Sequence, residues 1–111
     1  MTVTVTVLIP AKIAEAAQTT QYTSTGVTTL IDKFTATNYS AVPATISVNL
    51  VTTSGSAGNL NLITKTKTLQ ADETYTFPEI VGQALAAGDF ISTIAGTATS
   101  INIRASGRQV T

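Results

Sequence analysis

Few side chains in this sequence could do chemistry. Its carboxylates are Glu15, Asp32, Asp72, Glu73, Glu79 and Asp89, its cations Lys12, Lys33, Lys65, Lys67, Arg104 and Arg108, and it has neither histidine nor cysteine. The missing histidine removes the commonest general base and the commonest metal ligand. The missing cysteine removes disulfides, thiolate nucleophiles and thiolate metal sites. Asp72 and Glu73 are the one adjacent acid pair, but an acid–base or cation role would need a partner at a recognisable spacing, and a Gln-Ala-Asp-Glu turn accounts for them as solvated turn residues. No serine stands in a Gly-x-Ser-x-Gly elbow, and a conventional triad cannot be built without histidine. Gly55 and Gly58 fall in a hairpin loop, whereas a phosphate cradle lies between a strand and a helix. Asp32-Lys33 reads either as a charge pair across a subunit boundary or as a solvated strand face. The expectation is a protein that is not an enzyme, with no catalytic, cofactor-binding or metal-binding residues.

What replaces the chemistry is a neutral, threonine-rich surface. Charged residues make up 11% of the 111-residue chain, against about 25% in an average soluble protein. Six positive and six negative residues give a net charge of zero, which favours association. Threonine favours strands, and a surface of Thr, Ser, Asn and Ala is dehydrated far more cheaply than one of Lys and Glu. Two readings fit: a part of an assembly, which we favour, and a Thr-rich β-domain of an adhesin. The cations are scattered and not interleaved with aromatics, so no nucleic-acid partner is expected. No apolar run approaches the roughly 20 residues of a spanning helix, so no membrane partner is expected either. The first residues lack a basic region and do not read as a signal peptide.

The elements follow from a period of two. Val3, Val5 and Val7 face one way and Thr2, Thr4 and Thr6 the other in a first strand, Thr2–Leu8, that Pro10 should end. Lys12–Gln18 reads as a helical turn or an irregular link, and Thr19–Ser24 as a short strand. Val27–Asn38 reads as a long strand with Leu30, Phe34 and Ala36 on one face. Ile46, Val48 and Leu50 alternate with Thr45, Ser47 and Asn49 in the clearest half-buried strand. Leu60–Leu69 follows, with Lys65 and Lys67 together on its outer face. Thr74–Phe77 is short, and Pro78–Leu85 carries a helical start signal, a proline followed by an acid. Phe90–Ala95 and Ser100–Ala105 complete the set. The pattern predicts an all-β fold: one antiparallel β-sandwich or jelly-roll-like domain over residues 1–111, with one short helical turn.

The first strand is the most suggestive element. Thr2, Val3, Thr4, Val5, Thr6 and Val7 form a high-propensity strand without charge, proline or bulge signal, and such a strand left at an open edge is a hazard. It should be paired inside its own sheet, or residues 1–26 should act as an arm that adds to a neighbouring subunit's sheet.

Residues 34–111 resemble small virion proteins of tailed bacteriophages. The resemblance lies in Thr37-Asn38 with Pro43–Val48, Asn61-Leu62-Ile63, Glu73-Thr74-Tyr75, Pro78–Gln83 with Leu85-x-Ala87-Gly88-Asp89-Phe90-Ile91, and Ile101–Arg108. It implies a β-sandwich carried on a phage particle, most often as a head decoration (cement) protein that binds the major capsid protein and copies of itself as a homo-oligomer, located in the virion and assembled in the host cytoplasm. A neck, tail or fibre-base protein is the alternative, and a bacterial surface adhesion module a rival of another class. The motif residues Pro78, Glu79, Gly82, Leu85, Gly88, Asp89, Arg104 and Gly107 all have structural roles open to them. Pro78 would start a turn of helix, Gly82 and Gly88 would allow close packing or positive φ, Asp89 would cap a turn, and Arg104 would pair with Glu79.

Overall fold

In the computed structural model, which describes residues 1–111, the period-two pattern becomes two antiparallel sheets. The strands are β1 (Val3–Ile13), β2 (Thr19–Thr23), β3 (Thr28–Asn38), β4 (Ala44–Val51), β5 (Leu62–Leu69), β6 (Thr74–Tyr75), β7 (Ala84–Leu85), β8 (Phe90–Ala95) and β9 (Ile101–Val110). The first sheet runs β1-β9-β3-β6, and the second β2-β8-β4-β5. β6 pairs with β3 at Ala36 and Thr37, and β7 pairs with it at Thr29 and Leu30, so the two short strands are halves of one interrupted edge. Counted that way, the chain crosses between the sheets at every step except the β4–β5 hairpin, which is jelly-roll order.

The inner faces share one apolar core. Ile9, Ile31, Phe34, Ile103 and Ala105 from the first sheet meet Ile46, Val48, Leu69, Ile91 and Ala95 from the second. Phe77 stands edge-on to both Phe34 and Tyr75, with ring centroids 4.7 Å apart in each pair, an arrangement that adds to the burial of the rings. Phe77 holds a positive φ of 47°, unfavourable for a bulky side chain and maintained here by its complete burial. One end of the core is pinned by Asn38. Its amide donates to the carbonyls of Val42 and Leu69, and its side-chain oxygen accepts from the Ser40 amide and hydroxyl.

Several predicted details are corrected by bulges. Pro10 does not end β1: the strand passes through it to Ile13, with register shifts between Val7 and Ile9 and between Ile9 and Lys12. A proline is tolerated there because an edge strand need not donate outward. Residues 12–18 accordingly hold the end of a strand and a link, not a helical turn. In β3 a shift between Ile31 and Lys33 reverses the phase, so Thr29 and Ile31 point inward before it and Phe34 and Ala36 after it. Leu30 therefore does not share the face of Phe34. In β5 a shift opposite Ser47 places Lys65 and Thr66 outward while Lys67 returns to the core side across from Ile46. The two lysines thus lie on different faces. The last strand extends to Val110, beyond the predicted Ala105.

The helical turn is also misplaced. Pro78–Leu85 forms turns but no helix: the Ile80 and Val81 amides donate to the Phe77 carbonyl and the Gln83 amide to Ile80, around Gly82 at a φ of +91°. The helical residues are a 3-10 turn at Asn59–Asn61. That turn rests in the β4–β5 loop, held by the Asn49 amide donating to Asn61 and to the Gly58 carbonyl.

Candidate assembly interface

A jelly roll leaves four strand edges, and the structure treats them unequally. β5 is guarded by its bulge, by Thr66 at a φ of 44°, and by two lysines. β6 and β7 are guarded by being two residues long. β2 is five residues long and has its own register shift between Thr20 and Tyr22. Short, bulged or charged edges resist the docking of a foreign strand. The first half of β1 has none of these devices.

Its pairing with β9 is regular from Val3–Val110 to Val7–Ser106, and its other side is unpaired. The sequence expectation of pairing inside its own sheet is therefore met on one side only. The valines point away from the core: Val3 is 50% exposed, Val5 80% and Val7 44%. The orientation follows from the partner strand. Val5 lies beside Arg108 and Val7 beside Ser106 on the outer face, whereas Thr6 lies beside buried Gly107. Only at Leu8 and Ile9, where the bulge puts two residues opposite the step from Ser106 to Ala105, does β1 turn apolar residues into the core. The result is a row of uncovered valines along an open edge.

Gly107 makes this strand arrangement feasible. A Cβ there would land on the Leu30 carbonyl and press on the Leu8 side chain. Three strands, β1, β9 and β3, approach each other closely at that point because bulges flank it on both sides.

On the outer face next to Val5, Arg108 makes a bidentate pair with Asp32: its Nε lies 3.0 Å and its Nη2 3.0 Å from the two carboxylate oxygens. This hydrogen-bonded charge holds the Arg108 guanidinium above its ordinary pKa. Asp32 thus pairs within its own chain, through Arg108 rather than Lys33.

The remaining motif residues build a strap between the sheets. Ile80 and Leu85 are buried plugs, and Gly88, with φ +93°, lies so close to Thr53 that a Cβ would overlap it. Asp89 accepts from the Ala86 and Thr53 amides, closing the turn and tying it to the β4–β5 loop. Glu79 lies between the sheets and accepts hydrogen bonds from the Thr64 and Tyr75 hydroxyls. Desolvation pushes its carboxyl pKa up, but those two hydrogen bonds, with Lys67 nearby, outweigh it and hold the group below its ordinary value. The same carboxylate raises the Tyr75 hydroxyl, and the Lys67 ammonium sits 4.7 Å from the Tyr75 ring centroid. Arg104 does not reach Glu79. It stands on the outer face of the first sheet, between inward-facing Ile103 and Ala105, with the sheet itself in the way.

Asp72 and Glu73 occupy the turn before β6, where Glu73 accepts from the Gln70 amide and the Asp72 amide donates to the Asn38 carbonyl. A shallow hollow of 210 Å³ lies on the outer face of the second sheet, lined in part by Gln18, Ser47, Lys65, Thr66, Leu62 and Ile94. No helix is long and apolar enough to cross a membrane. No protein-family model, curated protein or solved structure matches the chain.

Proposed function

We propose that this chain is a non-enzymatic structural subunit of a phage virion, a head decoration protein that joins its neighbours through the open β1 edge. The observation that carries the reading is the contrast among the four edges: the one stretch left unguarded, Val3–Val7, is regular in register, uncharged and lined by Val3, Val5 and Val7. A freely diffusing protein blunts such an edge, and an assembly part uses it. The low charge supports the same reading, since interface cores are depleted of charged residues. So does the resemblance of residues 34–111 to small phage virion proteins. Jelly rolls recur in capsid proteins and also in lectins, so the fold lends support by analogy only. Many modest contacts at high copy number would stabilise a particle by avidity.

The test is quantitative electrophoresis of purified virions that carry the protein. Copies in the hundreds per particle are expected. A handful would place the protein at the neck or tail instead, and absence from the particle would overturn the virion reading. Replacing Val3, Val5 and Val7 together by aspartate, which leaves the buried Leu8 and Ile9 in place, should abolish particle binding while the chain stays folded by circular dichroism.

A further inference from the structure

We propose that the β1 edge is self-complementary: a second copy of this chain pairs with it antiparallel about a two-fold axis through Val5. The inference rests on the assembly reading above and names the partner at that edge.

The argument begins with backbone direction. The amides of Thr2 and Thr111 each donate to the other residue's carbonyl, at 3.2 and 3.0 Å, which makes them a hydrogen-bonded pair of an antiparallel ladder. Such pairs alternate with pairs whose N–H and C=O groups point away from the partner. Because the register is unbroken from Val3–Val110 to Val7–Ser106, Thr4 and Thr6 also bond toward β9. Val3, Val5 and Val7 therefore aim their N–H and C=O groups out of the open edge. Beyond Val7 the bulge at Leu8 ends the regular ladder.

An incoming antiparallel strand must answer each of those residues with a hydrogen-bonded pair. A copy of β1 does so when its own edge-facing residues lie opposite, which means valine against valine. The register that uses the whole regular stretch sets Val3 against Val7 of the copy, Val5 against Val5, and Val7 against Val3, with two bonds at each pair. Directly opposed residues share a face, so the two exposed valine rows merge into one apolar patch. Thr2–Val7 has no ionisable side chain, so no like side-chain charges are opposed along the ladder, and Arg108, the charge beside Val5 on β9, is paired with Asp32. About a two-fold each residue i of one strand meets j of the other and j meets i, and the Thr-Val alternation then sets valine against valine at every edge-facing pair. A pairing of this length buries less than a standard stable interface, so the dimer should be weak in solution and effective in an array.

The test exploits the residue on the axis. Sedimentation equilibrium of the full chain from micromolar to millimolar concentration should show a monomer–dimer equilibrium. Val5→Lys should weaken it at least about 100-fold by opposing two ammonium groups, and Val5→Asp should do the same with carboxylates. An equimolar mixture of the two variants should regain dimers. Val5 is well exposed, so both variants should keep the wild-type circular dichroism. If either does not, Val3→Asp combined with Val7→Lys in one chain, which faces opposite charges under the same axis, should dimerise at least as well as wild type. A wild type that is monomeric throughout, single variants that dimerise normally, or a mixture that stays monomeric would overturn the proposal. Particle binding measured in parallel separates the two readings: a monomeric wild type that still binds heads through β1 would sink self-pairing and leave the assembly reading standing.

Discussion

The edge strands β1 and β5 have similar composition, both threonine-rich and β-branched, yet they end in opposite states. β5 is closed. Its bulge at Lys65 and Thr66 twists the ladder, Lys67 folds over Tyr75, and Thr64 bonds to Glu79 on the strap from the other sheet. β1 is open over Val3–Val7, and its apolar residues face solvent. The difference shows that an edge is guarded less by strand propensity than by what crosses it. β5 has a strap that links it to the opposite sheet, while the first half of β1 has only β9 on one side.

The comparison can be broken or sharpened experimentally. The largest effect is expected at the support beneath the open edge. Gly107→Ala should destabilise the fold by about 3 kcal/mol or prevent folding, because the added methyl collides with backbone rather than with a mobile side chain. A denaturant midpoint within experimental error of wild type would show that β1 and β3 do not approach β9 as described.

A smaller loss is expected at the closed edge. Glu79→Ala leaves the Thr64 and Tyr75 hydroxyls without their acceptor and should lower stability by about 1–2 kcal/mol, measured by urea unfolding. Glu79→Gln should lose less, since an amide oxygen can still accept one of the two bonds.

The pH response follows from the same carboxylate. Glu79 is held below its ordinary value of 4.5, and Glu15 likewise, by hydrogen bonds from Lys12 and Gln21. A depressed folded-state pKa contributes stability above about pH 4.5 that is lost as the pH falls through the folded pKa. The melting temperature should therefore drop between pH 6 and pH 3, and Glu79→Gln should narrow that drop by about 2–4 °C. An unchanged pH profile in the variant would remove Glu79 from the clasp.

The smallest change in stability comes from unguarding β5. Lys65→Thr, on the exposed outer face and clear of the contacts that Lys67 makes with Tyr75, should leave folding within about 0.5 kcal/mol of wild type. The guards act on association, so light scattering should show the variant aggregating sooner than wild type at equal concentration. Identical scattering would mean that the bulge and strap suffice without that charge.

Much of the fold was legible because period two is a local signal. β2, β4 and β8 fall close to where alternation predicts them, and the turns at Thr53–Asn59 and Gln70–Glu73 carry their own chemistry. Errors cluster at the bulges. Leu30 and Lys67 share the predicted faces only if their strands continue in phase, and Pro10 ends β1 only if that position must donate to a ladder, but a bulge depends on the partner strand and has no reliable local signature. Opposite charge alone pairs Arg104 with Glu79, but the first sheet separates them. The Pro78–Asp89 segment was recognised as a unit, but its role as a strap between sheets depends on Leu85 pairing with β3 and Asp89 reaching the β4–β5 loop.

The first strand divides the two kinds of information most clearly. The sequence by itself determined that Thr2–Val7 is an uncharged strand with valines on one face, because alternation and propensity are properties of neighbouring residues. It could not say which face would meet the core or which edge would stay open. The tertiary structure decided both, since β9 lies on one side of β1 and presents Arg108 and Ser106 beside the valines, and Gly107 beside Thr6. Nothing covers the other side.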